Sequence, residues 1–372
     1  MYYTSGTTGR PKGVVLSHKN VVLHALGCMV EHRIHSDDVW AHIAPMFHLV
    51  DAYGMFAVAW VGGRHVFLAD FSPASALRLI ELQRVTVTNM ASTMINMLLT
   101  DPSRPSRDLS SLQLLSGGGA PINQDTMKRA LGAFGCEFFL SYGMTECCGK
   151  ISMSLLQTAK DEDPQTGHMN SEIRRLSQQE QLAYVCTSGR PFSLLEVRVV
   201  PAAVVSVPWD GKTVGEVQIR GETVFRGYWR RPAATRKSFV DDSNGEKKGG
   251  GLAWFKTGDL AFVEPRGYLT ICDRAKDMIL TGSENVYSVE VERVLQDHRG
   301  VRHACVFGEP NELLGEIVKA VVVRYDGPLG TPVSAAELRR HCVARLADYK
   351  VPRRIEFVDA LPMTGSVFLR GE

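Results

Sequence analysis

Short apolar segments of strand length alternate with segments of helical periodicity from residue 14 to about residue 200. Strands are predicted at residues 14–16, 65–69, 85–90, 112–115 and 137–140. Ser17 is predicted to cap a helix, and Ser72 with Pro73 predicts the start of another helix. Strands and helices that alternate in this way form βαβ units, so we expect an α/β fold with a mainly parallel sheet.

The region that follows contains shorter β segments and two polar stretches. Residues 196–200 and 215–220 are predicted to be strands of a small β-barrel or sandwich. Residues 159–182 are polar and weakly periodic, and we expect them to form a surface insertion. Residues 241–251 are rich in glycine and charged side chains, which predicts a solvated loop.

The C-terminal part of the chain has a compact α+β pattern. Helices are predicted at residues 289–296 and 335–346, and strands at 301–307, 317–324 and 355–358. We therefore expect a small C-terminal domain over residues 278–372, after the remnant of a large domain over residues 1–273.

Charge and cysteine usage exclude several classes of protein. The formal net charge of +2 is too small to indicate binding to nucleic acid or to a membrane surface. The eight cysteines are scattered along the chain, which indicates neither a zinc site nor a disulfide framework. A reducing intracellular compartment, cytoplasmic or organellar, is therefore the default expectation. No apolar run reaches the about 18 residues that a membrane helix needs, so no integral membrane segment is expected.

A glycine-rich polar string lies at the start of the chain, from Tyr3 to Gly13. Its hydroxyl groups and unhindered backbone N–H groups can face one anion, and Lys12 adds positive charge. The string differs from the P-loop of NTPases, because Gly13 follows the lysine where that motif needs a hydroxyl residue. Such loops usually follow a buried strand, so we expect that the natural N-terminal part of the domain is missing here.

The string Thr-Ser-Gly-Thr-Thr-Gly-Arg-Pro-Lys-Gly-Val resembles the ATP-phosphate loop of the adenylate-forming superfamily. That superfamily includes acyl-CoA synthetases, 4-coumarate–CoA ligases, firefly luciferase and the adenylation domains of peptide synthetases. The resemblance implies that Lys12 is catalytic. It also implies that the loop binds the nucleotide phosphates through Thr4, Ser5, Gly6, Thr7, Thr8 and Gly9.

The string Ser-Tyr-Gly-Met-Thr-Glu at residues 141–146 resembles a second motif of the same superfamily. The resemblance implies that Tyr142 packs on adenine, that Thr145 contacts the α-phosphate and that Glu146 binds Mg²⁺. A carboxylate is chemically suited to this, since Mg²⁺ bridges the phosphates of ATP with few protein ligands. We therefore predict Thr145 and Glu146 as catalytic residues and Glu146 as the metal ligand.

Two further segments resemble parts of the adenine and acyl pockets. Gly117, Gly118 and Gly119 resemble a glycine-rich turn that lines both pockets. The segment that ends in Phe47 and His48 resembles one whose aromatic residue gates the acyl and CoA tunnel. His48 is a candidate catalytic residue, either as part of this gate and pocket lining or as a general base.

The nucleotide ribose and the domain hinge are implied by motifs near the end of the large domain. Asp259, in Trp-Phe-Lys-Thr-Gly-Asp, resembles the carboxylate that accepts hydrogen bonds from both ribose hydroxyls. Arg274 resembles the second ribose contact, and Lys276 occupies the position of the hinge residue. The resemblance implies a hinge at residues 274–277, about which the small domain swings between two poses.

The resemblance implies an AMP-forming acid–CoA ligase that binds a small-molecule carboxylic acid, with ATP, Mg²⁺ and coenzyme A. Within that branch, the sequence most resembles plant-type 2-succinylbenzoate–CoA ligases, while fatty-acid and coumarate-type ligases stay open. It departs from the pattern at Ser366, which stands where the superfamily has a lysine that bridges the acyl carboxylate and the α-phosphate. Two alternatives stay open: a degenerate protein that binds nucleotide without catalysis, and an adenylation enzyme that loads a carrier protein.

Overall fold

The computed structural model describes residues 1–4, 11–118, 122, 124–155, 175–201, 206–240, 253–325 and 333–361. The chain divides into two compact units. The first contains residues 1–213, 217–257 and 263–270, and the second contains residues 214–216, 258–262 and 271–372. The boundaries predicted for the two domains and for the hinge stay a prediction.

A seven-stranded sheet is the centre of the first unit, with the strand order β4-β3-β5-β6-β7-β8-β9. Its strands are β3 (Val39–His42), β4 (Arg64–Phe67), β5 (Val87–Ala91), β6 (Leu114–Gly118), β7 (Glu137–Met144), β8 (Gly149–Met153) and β9 (Arg190–Pro191). Strands β3 to β7 pair in parallel, and β8 and β9 add antiparallel strands at one end. The predicted mainly parallel sheet is therefore confirmed.

Helices cover both faces of this sheet. They are α1 (His18–His32), α2 (Leu49–Val61), α3 (Pro73–Gln83), α4 (Ser92–Thr100), α5 (Gln124–Phe134) and α6 (Gln178–Val185). Side chains of α1 and α2 share one apolar cluster with Leu114 and Phe139, whereas α3, α4 and α5 share another with Leu115 and Leu140. Neighbouring strand residues point to opposite faces, so the sheet has an apolar core on each side.

The predicted helix starts are confirmed by their caps. Ser17 and Ser72 each accept a hydrogen bond from the backbone N–H three residues later, which satisfies a donor that the first helical turn leaves unpaired. Of the predicted surface insertion, residues 159–174 lie outside the described residues, and residues 178–182 form the first part of α6 with residues 178–180 exposed. Ser177 caps that helix, and Leu182 packs against the core, which polar composition alone did not indicate.

The N-terminal hairpin pairs β1 (Tyr2–Thr4) with β2 (Lys12–Val14). The segment after β2 continues beside residues 227–229, because Val15 N–H donates to the Gly227 carbonyl at 3.0 Å and Trp229 N–H donates to the Gly13 carbonyl at 2.7 Å. Helix α7 (Pro232–Ser238) follows that segment. Two stretches that are distant in sequence are therefore held together by main-chain hydrogen bonds.

Four further strands form a sheet in the order β10-β11-β12-β13. They are β10 (Leu195–Val200), β11 (Gly215–Gly221), β12 (Phe255–Val263) and β13 (Leu269–Arg274). The strands predicted at residues 196–200 and 215–220 are confirmed as members of this sheet. The loop predicted at residues 241–251 lies outside the described residues.

In its described residues, the second unit has a five-stranded sheet and two α-helices, which confirms the predicted α+β pattern. The strand order is β15-β14-β17-β16, and β18 pairs in parallel with β17. The elements are β14 (Ile279–Thr281), β15 (Glu284–Val286), α8 (Ser288–Gln296), β16 (Val301–Asn311), β17 (Gly315–Arg324), α9 (Ala335–Val343) and β18 (Arg354–Phe357). Apolar residues of both helices and of β16 and β17 form its core.

Candidate active site

The two ends of the predicted phosphate loop are adjacent in the N-terminal hairpin. Thr4 ends β1 and Lys12 begins β2, and the two residues are antiparallel partners. The hairpin therefore brings Thr4 and Lys12, the two described ends of this segment, next to each other. The other predicted phosphate contacts, Ser5, Gly6, Thr7, Thr8 and Gly9, lie outside the described residues.

Glu146 is a buried carboxylate on the turn that follows β7. It lies in the short 3₁₀ turn Thr145–Cys147, and only 8% of its surface is exposed. Its Oε1 accepts a 2.8 Å hydrogen bond from the phenol of Tyr228. Its backbone carbonyl accepts a 2.7 Å hydrogen bond from the N–H of Phe225. Both its main chain and its carboxylate are therefore held by the segment around Tyr228.

Tyr228 connects the predicted metal ligand to the predicted phosphate-loop lysine. Lys12 Nζ lies 4.9 Å from the centroid of the Tyr228 ring, in a cation–π contact. Burial raises the pKa of Tyr228, and the neighbouring Glu146 carboxylate raises it further. The phenol therefore stays protonated at neutral pH and donates its hydrogen to Glu146.

The backbone around Tyr228 explains how the ring is positioned. Gly227 has a φ of 147°, and a Cβ on it would lie 2.7 Å from Thr235 Cγ2, so glycine is required there. Thr235 Oγ1 accepts a 2.9 Å hydrogen bond from the N–H of Tyr228. The sequence motifs gave no role to Tyr228. Tyr228 and Glu146 are 82 positions apart, and no local pattern predicts their contact.

The motif residues on β6 and β7 lie side by side in the sheet. Gly118 and Ser141 are parallel partners, and Ser141 immediately precedes the half-buried Tyr142. A Cβ at Gly117 would lie 2.9 Å from Leu140 Cδ2, so packing within the sheet already requires this glycine. The contacts predicted for Gly117, Gly118, Tyr142 and Thr145 with the nucleotide stay predictions, and Gly119 lies outside the described residues.

His48 stands at the N-terminus of α2, beside an exposed aromatic ring. It is the N-cap residue of α2, and its ring centroid lies 4.5 Å from that of Phe47, which is 64% exposed. Burial lowers the pKa of His48, so the imidazole is neutral at pH 7 and can accept a proton. The exposed Phe47 is compatible with a gate, and the neutral ring with a base, so both predicted roles stay open.

The two predicted ribose contacts lie together in the second unit. Arg274 Nε is 3.4 Å from Asp259 Oδ1. Asp259 is 5% exposed, whereas 52% of the Arg274 side chain is exposed. Gly258 has a φ of 77°, and its carbonyl accepts a 2.9 Å hydrogen bond from the N–H of Ala275, which joins the two segments. The sequence predicted both residues from separate motifs, and the structure brings them into contact.

The predicted hinge residue, Lys276, lies in a turn. Lys276 lies in the turn after β13, where the N–H groups of Asp277 and Met278 both donate to the Arg274 carbonyl. Its Nζ forms an exposed ion pair with Asp277 at 3.0 Å. A turn of this kind can change its dihedral angles without disturbing a sheet, but the hinge role stays a prediction. Ser366 lies outside the described residues.

The donor set at Glu146 suits Mg²⁺ better than a transition metal. The described part of the chain contains no cluster of three histidine, cysteine, aspartate or glutamate side chains that could hold a metal ion. Glu146 offers hard oxygen atoms in a buried position, and Mg²⁺ is commonly bound by one or two carboxylates together with substrate phosphates. Across the same described ranges, no helix is both long and apolar enough to cross a membrane.

Comparison with known proteins extends these observations to the whole chain. Residues 1–229 match the profile of the AMP-binding enzyme family, and residues 290–367 match the AMP-binding enzyme C-terminal domain. The chain is 36% identical to feruloyl-CoA synthase of an Amycolatopsis species, with 100% of this chain and 68% of that relative aligned.

Solved structures show the same likeness. The o-succinylbenzoate CoA synthetase of Bacillus subtilis with its acyl-adenylate intermediate matches with a TM-score of 0.81 and 30% identity, covering 99% of this chain and 67% of that one. The same enzyme with ATP and magnesium ion matches with a TM-score of 0.80 and 30% identity, covering 99% and 68%. The resemblance predicted from the motifs is therefore confirmed, and the chain spans about two thirds of the length of these relatives.

Proposed function

The chain belongs to the AMP-binding enzyme family, and from that premise we propose how its own residues carry out the reaction. It is an acid–thiol ligase that activates a small-molecule carboxylic acid with ATP and transfers the acyl group to coenzyme A. ATP, Mg²⁺ and coenzyme A are its co-substrates and cofactor. What we propose is the role of each residue, the kind of acid and the activity of this chain by itself.

In the first half-reaction, an oxygen of the substrate carboxylate attacks the α-phosphorus of ATP and pyrophosphate leaves. Negative charge accumulates on the phosphate oxygens, so positioned cations and hydrogen-bond donors accelerate the step. We assign Lys12 and Thr145 to the phosphates, Tyr142 to the adenine, and Asp259 with Arg274 to the ribose. Lys12 begins β2, Thr145 begins the 3₁₀ turn after β7 and Arg274 ends β13, whereas Tyr142 and Asp259 lie within β7 and β12.

The hydrogen bond from Tyr228 to Glu146 carries the proposal. A buried carboxylate is destabilised unless its oxygens are paired, and the phenol satisfies Oε1 while leaving the charge in place. The bond also fixes the direction in which Glu146 presents its carboxylate, and Lys12 Nζ lies over the ring of the same tyrosine. Glu146 would hold Mg²⁺, which when bound neutralises charge on the ATP phosphates.

In the second half-reaction, the thiol of coenzyme A attacks the acyl carbonyl of the adenylate and AMP leaves. We assign Phe47 and His48 to the entrance of the acyl and thiol path, because Phe47 is exposed and adjoins the neutral His48 ring. Lys276 is assigned to the hinge between the two half-reactions. The first half-reaction forms the acyl-adenylate and releases pyrophosphate, and the second forms the thioester and releases AMP. Neither step changes an oxidation state.

A second candidate function is nucleotide binding without catalysis. Ser366 stands where related enzymes have a lysine that bridges the acyl carboxylate and the α-phosphate. Loss of one positioned charge contact at a reacting centre typically costs ~10²–10³ in rate. A chain with this change could retain the nucleotide cradle while forming the adenylate slowly.

The deciding experiment measures pyrophosphate release from ATP with a panel of carboxylic acids, followed by acyl-CoA formation when coenzyme A is added. We expect release with at least one acid, and a loss of about 10²–10³-fold in Glu146→Gln, which keeps an acceptor for Tyr228 but removes the charge. Glu222→Gln is the matched control, because that carboxylate is 46% exposed. ATP binding without release with any acid would instead support the non-catalytic candidate.

A further inference from the structure

Lys150 is a buried cation beside the candidate active site. It lies on β8 directly opposite Gly143 of β7, and only 3% of its surface is exposed. Its Nζ lies 3.5 Å from Ser141 Oγ, 4.4 Å from the centroid of the Tyr53 ring and 5.5 Å from that of Phe139. Among the described residues, no carboxylate lies within ion-pair distance of this ammonium group.

An ammonium group without a counter-charge is unstable in such surroundings. Burial lowers the pKa of Lys150 to about 8, although Cys28 and Asp51 act in the opposite direction. Cation–π contacts with two rings offset part of the desolvation, but an aromatic face is a weaker partner than a carboxylate. Most of the Lys150 side chains are still charged at neutral pH, so a buried positive charge lies here without an ion-pair contact to any carboxylate of the described residues.

The side chains that face Lys150 from α1 are uncharged. His24 Nε2 accepts a 3.0 Å hydrogen bond from the Lys150 backbone N–H, and burial, with a further contribution from Lys150, lowers the pKa of His24 to about 3. Burial raises the pKa of Cys28 to about 12. His32 is 6% exposed, burial lowers its pKa, and neither ring nitrogen has a hydrogen-bond partner within the described residues.

The side chains that face Lys150 from α2 do not supply an anion within reach. Asp51 is fully buried, and its two oxygens already accept hydrogen bonds from Trp40 Nε1 at 3.0 Å and His42 Nδ1 at 2.8 Å. Burial raises the pKa of Tyr53, so its phenol is protonated. Lys150 and the two ring nitrogens of His32 therefore lie in one buried polar cluster, where the carboxylate of Asp51 is already paired with Trp40 and His42.

This cluster adjoins the motif that carries the predicted nucleotide contacts. Ser141, the hydrogen-bond partner of Nζ, is half-buried and immediately precedes Tyr142. Its hydroxyl also donates to the Gly117 carbonyl at 3.4 Å, on the glycine-rich strand end. Ser141 therefore connects this end of β6 and β7 to Lys150, which lies on the face of the sheet that α1 and α2 cover.

We propose that Lys150 binds the second carboxylate of a dicarboxylic acid, one carboxylate of which is activated by ATP. This inference rests on the proposed function and names its substrate class. A distal carboxylate would neutralise the ammonium group, and aromatic rings of Tyr53 and Phe139 would pack against the carbon chain. The activated carboxylate is consumed as the adenylate forms, so the charge that pairs with Lys150 belongs to the other end of the acid.

The test compares straight-chain dicarboxylic acids, from succinic to suberic, with their monomethyl esters in pyrophosphate release. In the unaltered chain, at least one diacid is expected to have the higher kcat/KM of its pair. Lys150→Met, which keeps the volume and removes the charge, should lower the diacid-to-ester ratio about 100-fold and change the ester rate little. Lys212→Met, at an exposed lysine, is the matched control and should change neither.

A second measurement uses the unaltered chain alone, in case Lys150→Met does not fold. The free-enzyme pKa appears in the pH profile of kcat/KM. Burial lowers the pKa of Lys150 to about 8. We therefore expect kcat/KM for the diacid to fall as pH rises through about 8, while kcat/KM for the ester stays constant over the same range. Equal ratios in Lys150→Met and the parent, or parallel pH profiles for diacid and ester, would show that Lys150 has a structural role only.

Failure of this inference and failure of the proposed function can be told apart. If no acid supports pyrophosphate release, binding of suberic acid is measured directly by titration calorimetry with the parent and with Lys150→Met. Binding that is lost in the variant would support the subsite even without catalysis. Equal binding, or binding by neither protein, would overturn it.

Discussion

The phenolic oxygen of Tyr228 lies 2.8 Å from Oε1 of Glu146, although the two residues are 82 positions apart. The contact exists because main-chain hydrogen bonds hold the segment after Gly227 beside β2, and the N–H of Phe225 beside the Glu146 carbonyl. The same Tyr228 ring lies under Lys12 Nζ. One tyrosine therefore orients the predicted metal ligand and contacts the predicted phosphate-loop lysine.

Tyr228→Phe is expected to weaken the use of Mg²⁺ while leaving the fold intact. A hydrogen bond to a charged group contributes about 1.5–3 kcal/mol, so we expect kcat/KM for pyrophosphate release to fall about 10–100-fold at limiting Mg²⁺. A Mg²⁺ titration of the initial rate should show a higher half-saturating concentration. Tyr325→Phe, at a tyrosine that is 50% exposed, is the control. An unchanged Mg²⁺ dependence would contradict the positioning role.

Asp259→Asn is expected to reduce recognition of the ribose. Asp259 is buried beside Arg274, and an amide cannot accept hydrogen bonds from both ribose hydroxyls as a carboxylate can. We expect the KM for ATP to rise about 10-fold, in line with about 1.5 kcal/mol for a charged hydrogen bond. The parent should discriminate against 3′-deoxy-ATP, and the variant should do so less. The exposed Asp297→Asn serves as control, and equal discrimination by all three proteins would argue against ribose contact.

Gly143→Ala is expected to disrupt the pairing of β7 with β8. A Cβ at Gly143 would lie 1.6 Å from the Gly149 carbonyl oxygen, which is backbone and cannot move aside as a side chain could. Overpacking typically costs 1–3 kcal/mol, and a backbone clash of this severity should reach about 3 kcal/mol in the free energy of unfolding. Gly132→Ala makes the same chemical change in α5 where nothing lies within 4 Å.

Denaturant unfolding of the two glycine variants gives the comparison. The alanine at position 132 should stabilise the chain by about 0.5–1 kcal/mol, since alanine is the better helix former. The opposite signs at the two positions separate steric conflict from the general effect of replacing glycine. A Gly143→Ala variant as stable as the parent would mean that β7 and β8 are not paired at this register.

Glu292 is expected to make the second unit less stable as pH rises. Burial raises the pKa of Glu292 to about 7 in the folded chain, and Asp273 and Asp277 add to this, while the Val306 N–H opposes it. Because the folded pKa is above the unfolded one, the stabilising contribution is complete below the ordinary glutamate pKa of 4.5 and is lost as pH rises through about 7. The total is roughly 3 kcal/mol at most.

Glu292→Gln should remove this pH dependence, because the amide oxygen still accepts the Val306 N–H but carries no charge. Unfolding free energies at about pH 5 and about pH 8 should therefore differ less in the variant than in the parent. The variant should be the more stable protein at the higher pH. Glu312→Gln, at an exposed position, should follow the parent at both pH values. A parent curve that matches the Glu292→Gln curve would show that Glu292 is not protonated in the fold.

The fold class and the family follow from local patterns in the chain. Alternating strand-length and helical segments predict a mainly parallel sheet, since each segment carries its own periodicity. Ser17 and Ser72 mark helix starts, because a capping hydroxyl bonds to a backbone N–H three residues away. The nucleotide motifs are likewise continuous strings, so their residues could be named without knowing how they meet. The helix at Gln178–Val185 was missed because its polar residues outnumber its buried ones.

The contacts that give these residues their chemistry were decided by tertiary structure. Glu146 meets Tyr228, and Asp259 meets Arg274, through pairings between segments that are separate in sequence. In the sequence, Lys150 is an ordinary residue. Only the packing of α1 and α2 shows that its charge is buried, with no ion-pair contact to a carboxylate of the described ranges. Burial and charge pairing depend on which surfaces meet, and a linear pattern does not contain that information.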